Sequence, residues 1–472
     1  MKGAETITLP PAQLEQAARA LLQSGGRMQM AYACASEAGG LELRYLTAPS
    51  DGGFVIWRCQ PAGDPPSLAH VWPLLGWYER EIMDLSGLRF VNHPEPTPLV
   101  LHPSDVAPTL PEVAAGDVQT LPFGPVRADV VESAEFTFFY IGERILHYQP
   151  HLFFKHRGME ARFEGLDPQR GVVLAERVSG VGTVAHALAF CQAVEAACDC
   201  IVPERARWLR VLLAELERVY NHLHYLGHLS DATSLKVGNA QGKLLEERAK
   251  QINARLTGSR FLRSLLIPGG LRRDLAPAGW LSGELEALRA ESARYVNLLE
   301  HSESHLDRLI TTGVLTAQVA FDQGATGPIQ RASGADRDLR RDHPYAAYAE
   351  LPLVVPVRAD GDAYARSAVR AAELDASIAI MQRVLLLLPE GSVRAECLPV
   401  PKAEGLGWSE TPRGSLFYAV HFDSDGRFSR VKIKSPSFSN WRIFPSTVHD
   451  TNMMDYAINE ASFGLTIAGC AR

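Results

Sequence analysis

Between Asn92 and Pro122 the chain reads NHPEPTPLVLHPSDVAPTLPEVAAGDVQTLP, with seven prolines. Proline lacks the N–H that a ladder needs and clashes with the preceding helical turn, so neither a helix interior nor a central strand passes through such a stretch. The 472 residues also exceed what one hydrophobic core usually serves. The expected division is a domain over 1–104, a linker over 105–121 and a second domain over 122–472.

Before the linker, a short helix (PAQLEQAARALLQ) precedes three runs of strand character, RMQMAYACAS, LELRYLT and FVIWRCQ. The turn signals EAGG and PSDGG part them. Helical pieces follow from about Leu68 to Leu85 and stop at Gly87. After the linker, ADVVESAEFTFFYIG and ERILHYQPHLFF read as strands, and the chain then turns helical. Pro203 opens the longest amphipathic stretch, where Leu209, Leu212, Leu213, Leu216, Val219, Tyr220, Leu223 and Leu226 share one face at a 3.6-residue period. Further helices are expected near 241–264, 283–311 (Ser282 as N-cap) and 362–388, and a strand-rich segment SLFYAVHFDSDGRFSRVKIKS turns at Ser424–Gly426. The expected fold class is α+β: a small N-terminal α+β domain, then a large helix-dominated domain with a peripheral antiparallel sheet.

The net charge of -7 and the lack of a basic block argue against nucleic acid. No apolar run is long enough to span a bilayer, so the chain is expected to be soluble. Seven cysteines, without a signal-peptide pattern, point to reduced thiols in a cytoplasmic setting. Neither G-x-G-x-x-G nor a Walker A pattern occurs. His222, His224 and His228 are spread around a helix and cannot converge on one ion, whereas His147, His151 and His156 read as interface or hydrogen-bonded side chains. Cys191, Cys198 and Cys200 lack a CxxC pair; buried thiols are the expectation, with a structural zinc as the alternative.

ERVSGVGTVAHALAFCQAVE, Glu176–Glu195, resembles the R-x-C-G-x-C-x-x-x-H motif of nickel–iron hydrogenase large subunits, with Arg177, Gly180 and His186 in place. HVWPLLGWYEREIMDLSGLRFVNHP is similar to a signature of the small hydrophilic subunit of respiratory complex I. FGPVRADVVESAEFTFFYIGERI, HRGMEARFEG, LAELERVYNHLHYLG, LIPGG, RASGADRDLRRDHPYAAY, ETPRGSLFY and RVKIKSPSFSN resemble, in order, the family that unites the quinone-site subunit of complex I with hydrogenase large subunits. The two-part fusion resembles the large subunit of formate hydrogenlyase-type, group 4 membrane-bound hydrogenases.

The resemblance implies four nickel-binding cysteines, and this sequence departs from it at each. Ser179 and Gly182 stand at the first CxxC pair, and NEASFGLTIAGCAR replaces the second so that Gly464 and Ile467 fall at the remaining positions. Nickel requires soft thiolates, so no metal is expected on this chain. The resemblance also implies Glu160 as a proton-relaying glutamate, with Arg177, Arg413 and His186 facing the former site; a structural ion-pair role is the alternative. Against complex I, Gly180 stands where a quinone-binding tyrosine is expected, Arg127 stands near an expected histidine, and Asp231 lies near an acidic position behind the quinone.

The implied protein is a fused large subunit of a membrane-associated, energy-converting oxidoreductase complex related to NADH–quinone oxidoreductase and group 4 hydrogenases. It would sit peripherally on the cytoplasmic face of the cell membrane. Implied partners are an iron–sulfur small subunit, a ferredoxin-like subunit and antiporter-like membrane subunits. No cofactor is expected on the chain itself, iron–sulfur clusters are expected in the partners, and a quinone is the candidate acceptor. Three readings stay open: acceptor reduction served by Glu160, His186 and Asp231, a redox-silent coupling scaffold, and an active hydrogenase.

Overall fold

The computed structural model describes residues 1–36, 39–101, 116–126, 132–277 and 279–472. Strands β1 (Glu5–Thr8), β2 (Arg27–Ala35), β3 (Leu41–Ala48) and β4 (Val55–Cys59) form a sheet in the order β1-β4-β3-β2, with only the β1–β4 pair parallel. Helix α1 (Leu14–Gln23) buries Leu14, Ala18 and Leu21, which fall on one face at the helical period. Helix α2 (Leu75–Ser86) stops where expected: Gly87 takes φ 74° and its N–H reaches the Met83 carbonyl.

A second sheet, in the order β5-β6-β7, joins β5 (Gln119–Phe123), β6 (Glu135–Ile141) and β7 (Arg144–His151). Strand β5 begins inside the expected linker and contains Pro122. An edge strand accommodates this residue because its missing N–H need not enter a ladder. Most of the linker, 102–115, and Arg127 lie outside the described residues.

Helices follow: α3 (Pro168–Ala175), α4 (Thr183–Ala197), α5 (Glu204–Ala232) and α6 (Lys236–Thr257). After a hairpin of β8 (Leu266–Ile267) and β9 (Gly270–Leu271) come α7 (Trp280–Glu300), α8 (Glu303–Leu309), α9 (Ala317–Asp322), α10 (Pro328–Ala332), α11 (Leu339–Asp342) and α12 (Ala363–Leu387). The helix expected over 283–311 is two helices, because Ser302 leaves helical geometry at φ -95°, ψ 89°. Ser282 lies within α7, which Gly279 precedes without a side-chain cap.

Strands β10 (Glu404–Thr411), β11 (Gly414–Phe422) and β12 (Phe428–Lys434) close into an antiparallel sheet, followed by α13 (Pro436–Ile443), α14 (Tyr456–Phe463) and α15 (Ile467–Ala471). Every residue of β11 is buried, since both faces of the strand are covered. Leu416, Tyr418 and Val420 face the helical core, and the alternate residues Phe417 and Ala419 join the core that holds α1, β2–β4 and α2. On the helical side α4 lies against β10 so closely that a Cβ on Gly407 would stand 2.2 Å from the Ala189 carbonyl oxygen. On the other side Phe54 packs edge-on to Phe417, with ring centroids 5.2 Å apart. Arg44 forks onto Glu404 at 2.6 and 2.7 Å, and the Tyr32 hydroxyl meets His421 at 3.1 Å. The N-terminal module and the large domain therefore share one buried cluster across this sheet.

Within the helical body, several buried arginines are matched by carboxylates. Arg331 pairs with Glu373 and Glu410, and Arg340 pairs with Asp338 and Glu215. Burial of such charges is tolerated because each has partners.

Candidate functional site

The start of α4 is the focus of the site. Glu217, one turn before Asn221 on α5, accepts the Val184 and Ala185 N–H groups at 2.6 and 3.0 Å and so takes up two of the unpaired donors at that helix end. Burial pushes the Glu217 carboxyl up to about 7, against the two N–H groups and the Arg413 guanidinium.

Two bridges bring the segment 178–182 against 464–468. Arg157 donates to the carbonyls of Arg177, Val178 and Ala468 at 3.0, 2.6 and 3.1 Å. Arg413 donates to the Gly464 carbonyl at 2.7 Å and to Asn221 Oδ1 at 2.8 Å, while Asn221 Nδ2 donates to the Val181 carbonyl at 2.9 Å. Segments nearly three hundred residues apart are thus held together by two guanidinium groups. Burial lowers Arg413 to about 10. Gly464 ends α14 in the left-handed region, φ 62°, where a side chain would be strained and would press on the Tyr225 ring. The Ile467 and Ala468 N–H groups both donate to Glu132.

His186 sits one turn into α4. Its Nδ1 lies 2.8 Å from the Tyr418 hydroxyl on β11, and burial, reinforced by Arg157, drives its pKa down to about 3. It is a neutral, fixed ring.

Glu160 belongs to an adjoining ion-pair network. Its carboxylate accepts from Arg430 at 3.0 Å, from the Ile433 N–H at 3.1 Å, from Lys432 at 3.1 Å and from Arg472 at 3.2 Å. Glu81, carried in by α2, binds Lys432 at 2.6 Å and Arg472 at 2.5 Å. Burial opposes ionisation of Glu160, but Lys432, Arg430 and Arg472 outweigh it and hold the carboxyl down at about 2. Sequence reasoning missed Glu81, Arg430, Lys432, Arg472, Glu217 and Arg157. One legible signal was the run RVKIK, which places Arg430, Lys432 and Lys434 on one face of a strand between apolar alternates.

The remaining expected residues lie elsewhere. Arg177 is exposed and bonds the Val173 carbonyl at 3.0 Å within its own helical turn, so it does not join this group. Asp231 lies at the far end of α5, bound to Lys236 at 2.6 Å and Asn239 at 2.8 Å; the contact with Lys236 lowers its pKa. His222 is buried against Glu373 at 2.9 Å, whereas His224 and His228 are exposed, which fits rings spread around a helix. Cys191 is buried in α4 apart from Cys198, which lies against Cys397 and is lowered by that contact to about 7. Among the described residues no cluster of three or more His, Cys, Asp or Glu side chains could hold a metal.

As ligands, the four positions offer one hydroxyl (Ser179), two hydrogens (Gly182 and Gly464) and a buried hydrocarbon (Ile467). Cys470 is buried, and burial pushes its thiol up. Thiolates that could hold and bridge nickel and iron are lacking at these positions, so the residues present do not fit such a centre.

Residues 244–399 and 393–472 match the family of the respiratory-chain NADH dehydrogenase 49 Kd subunit, residues 157–254 that of nickel-dependent hydrogenase, and residues 7–113 that of the respiratory-chain NADH dehydrogenase 30 Kd subunit. Formate hydrogenlyase subunit 5 of Escherichia coli (strain K12) is 30% identical over 406 residues, 80% of this chain and 71% of that protein. The D 2 subunit of the NADH-quinone oxidoreductase of Koribacter versatilis is 31% identical over 363 residues, 70% of this chain and 90% of that protein. The C/D subunit of the Cereibacter sphaeroides enzyme of the same name is 28% identical over 477 residues, 87% of this chain and 82% of its own. A chain of the membrane-bound sulfane sulfur reductase, an archaeal respiratory membrane complex, superposes with a TM-score of 0.72 at 27% identity, covering 76% of this chain and 100% of that one.

Proposed function

The chain belongs to the family of NADH-quinone oxidoreductase D subunits and formate hydrogenlyase subunit 5, and from that premise we propose that it is the fused large subunit of a respiratory, membrane-associated oxidoreductase complex. In this reading residues 1–104 and 122–472 correspond to the two fused parts. The chain contributes no nickel–iron centre. Electron carriers reside in an iron–sulfur small subunit and a ferredoxin-like subunit, and antiporter-like membrane subunits move the ion. Among the described residues no helix is long and apolar enough to cross a membrane, so attachment is assigned to those partners on the inner face.

The observation that carries the loss of the metal is the donor set at Ser179, Gly182, Gly464 and Ile467. Elemental analysis of the purified complex, with hydrogen evolution from a strong reductant, tests it. Background nickel and no hydrogen are expected; about one nickel per chain with hydrogen evolution would overturn it.

Of the finer readings, coupling scaffold and acceptor reduction, Glu160 and His186 favour the scaffold. A carboxylate saturated by three cations and a neutral ring fixed to a tyrosine are poor proton carriers near neutral pH. Acceptor reduction draws support from a different pair. Glu217 is poised near 7, and Gly180 is exposed, with no atom within 4 Å of where a Cβ would stand. Glu217→Gln discriminates the two: turnover per assembled complex falls at least tenfold if Glu217 carries protons, and is unchanged if the site is a scaffold.

A further inference from the structure

The three basic residues of β12 that face the N-terminal module are not equally matched. Arg430 and Lys432 meet Glu160 and Glu81, but Lys434, 3% exposed, meets only neutral atoms: Gln29 Oε1 at 2.9 Å and Ser415 Oγ at 3.1 Å. It lines a cavity of about 440 Å³ between the N-terminal module and the segment 323–343, floored by β12 and α13. This volume is within the usual range for small-ligand pockets.

Two more cations line the same space without a carboxylate. Arg27 stacks its guanidinium 4.8 Å from the Phe321 ring, and its Nε has no hydrogen-bond partner among the described residues. Its terminal nitrogens meet the neutral amide of Gln330 when that oxygen is turned toward them. Arg442 donates to the carbonyls of Pro73 and Gln323. The acids on the wall contact other cations: Glu410 meets Arg331 at 2.9 Å, Asp338 meets Arg340 at 2.7 Å, and Asp336 and Asp342 share Arg341 at 2.6 and 2.8 Å. Lys434, Arg27 and Arg442 are therefore cations that line the cavity and touch no carboxylate among the described residues. A buried cation without a counter-ion is costly, and an anion in the cavity removes that cost.

We propose that the cavity between the N-terminal module and the large domain binds a small oxyanion-bearing metabolite, a phosphate ester or a polycarboxylate, through Lys434, Arg27 and Arg442. The hydroxyls of Ser415 and Ser439 and the aromatic rings of Trp72 and Phe321 complete its lining. The ligand would touch both parts of the fused chain and so fasten one to the other.

Thermal unfolding of the full chain, titrated separately with sodium phosphate and sodium citrate against sodium chloride of equal ionic strength, tests this. The expected result is a saturable rise in midpoint with at least one of the two anions beyond the chloride control; the anion that acts identifies phosphate or carboxylate chemistry. Lys434→Met should fold, since it removes a lone buried charge, and should need at least tenfold more anion for the same rise. Arg27→Met should do the same, so the expectation does not rest on one variant. If neither anion exceeds chloride, or if both variants respond like the parent, the proposal is overturned.

Discussion

Replacing Glu160 by glutamine changes little in volume but removes one of two anions that hold three cations. Lys432 is 1% exposed and Arg472 3%, so after the change they share Glu81 alone. Removing one partner from a buried pair costs about 3–5 kcal/mol. A second route to the magnitude is linkage: a carboxyl held at about 2 against an ordinary 4.5 contributes about 3 kcal/mol at pH 7. Because the folded-state pKa is the depressed one, this contribution is complete above about pH 4.5 and is lost as pH falls through about 2. At pH 3 about half of it or less should remain. Urea unfolding of parent and Glu160→Gln, followed by tryptophan fluorescence, should therefore give a difference of about 3 kcal/mol at pH 7 that shrinks by about half or more at pH 3. A difference below about 1 kcal/mol at pH 7, or one that does not change with pH, would refute the ion-pair account.

In the assembled complex the same Glu160→Gln change should lower activity only in step with the amount assembled; a fall in turnover per assembled complex would restore Glu160 as a proton carrier. Limited proteolysis should cut first within 105–121, yet the fragments should co-elute in size-exclusion chromatography because they share one buried cluster across β11; separation under native conditions would contradict that core. Gly407→Val should destabilise the chain by about 3 kcal/mol or more in chemical denaturation, because its Cβ would collide with the Ala189 carbonyl; a loss under about 1 kcal/mol would show that α4 and β10 part easily.

By itself the sequence determined the elements whose signals are local. The 3.6-residue stripe from Leu209 to Leu226 became one face of α5, and Gly87 ended α2 as its left-handed geometry requires. Runs of strand character parted by turn signals marked β2–β4 and β11–β12, and that no thiol stands at Ser179, Gly182, Gly464 or Ile467 is legible from residue type alone. The break inside 283–311 and the edge strand through Pro122 were lost to local reading, because one depends on a single residue's backbone angles and the other on which strand has a free side.

Only the tertiary structure decided which charges meet. Glu81 lies more than three hundred residues from Lys432 and Arg472, yet α2 delivers it to both. Arg177 carries a motif but faces outward, while Arg157, part of HRGMEARFEG but given no role from the sequence, bridges the two segments of the site. A charged side chain reads the same on paper whether it is paired, exposed or stranded. Its pKa and its role follow from burial and from distances to partners remote in the chain, and these exist only after β11 has been covered on both faces.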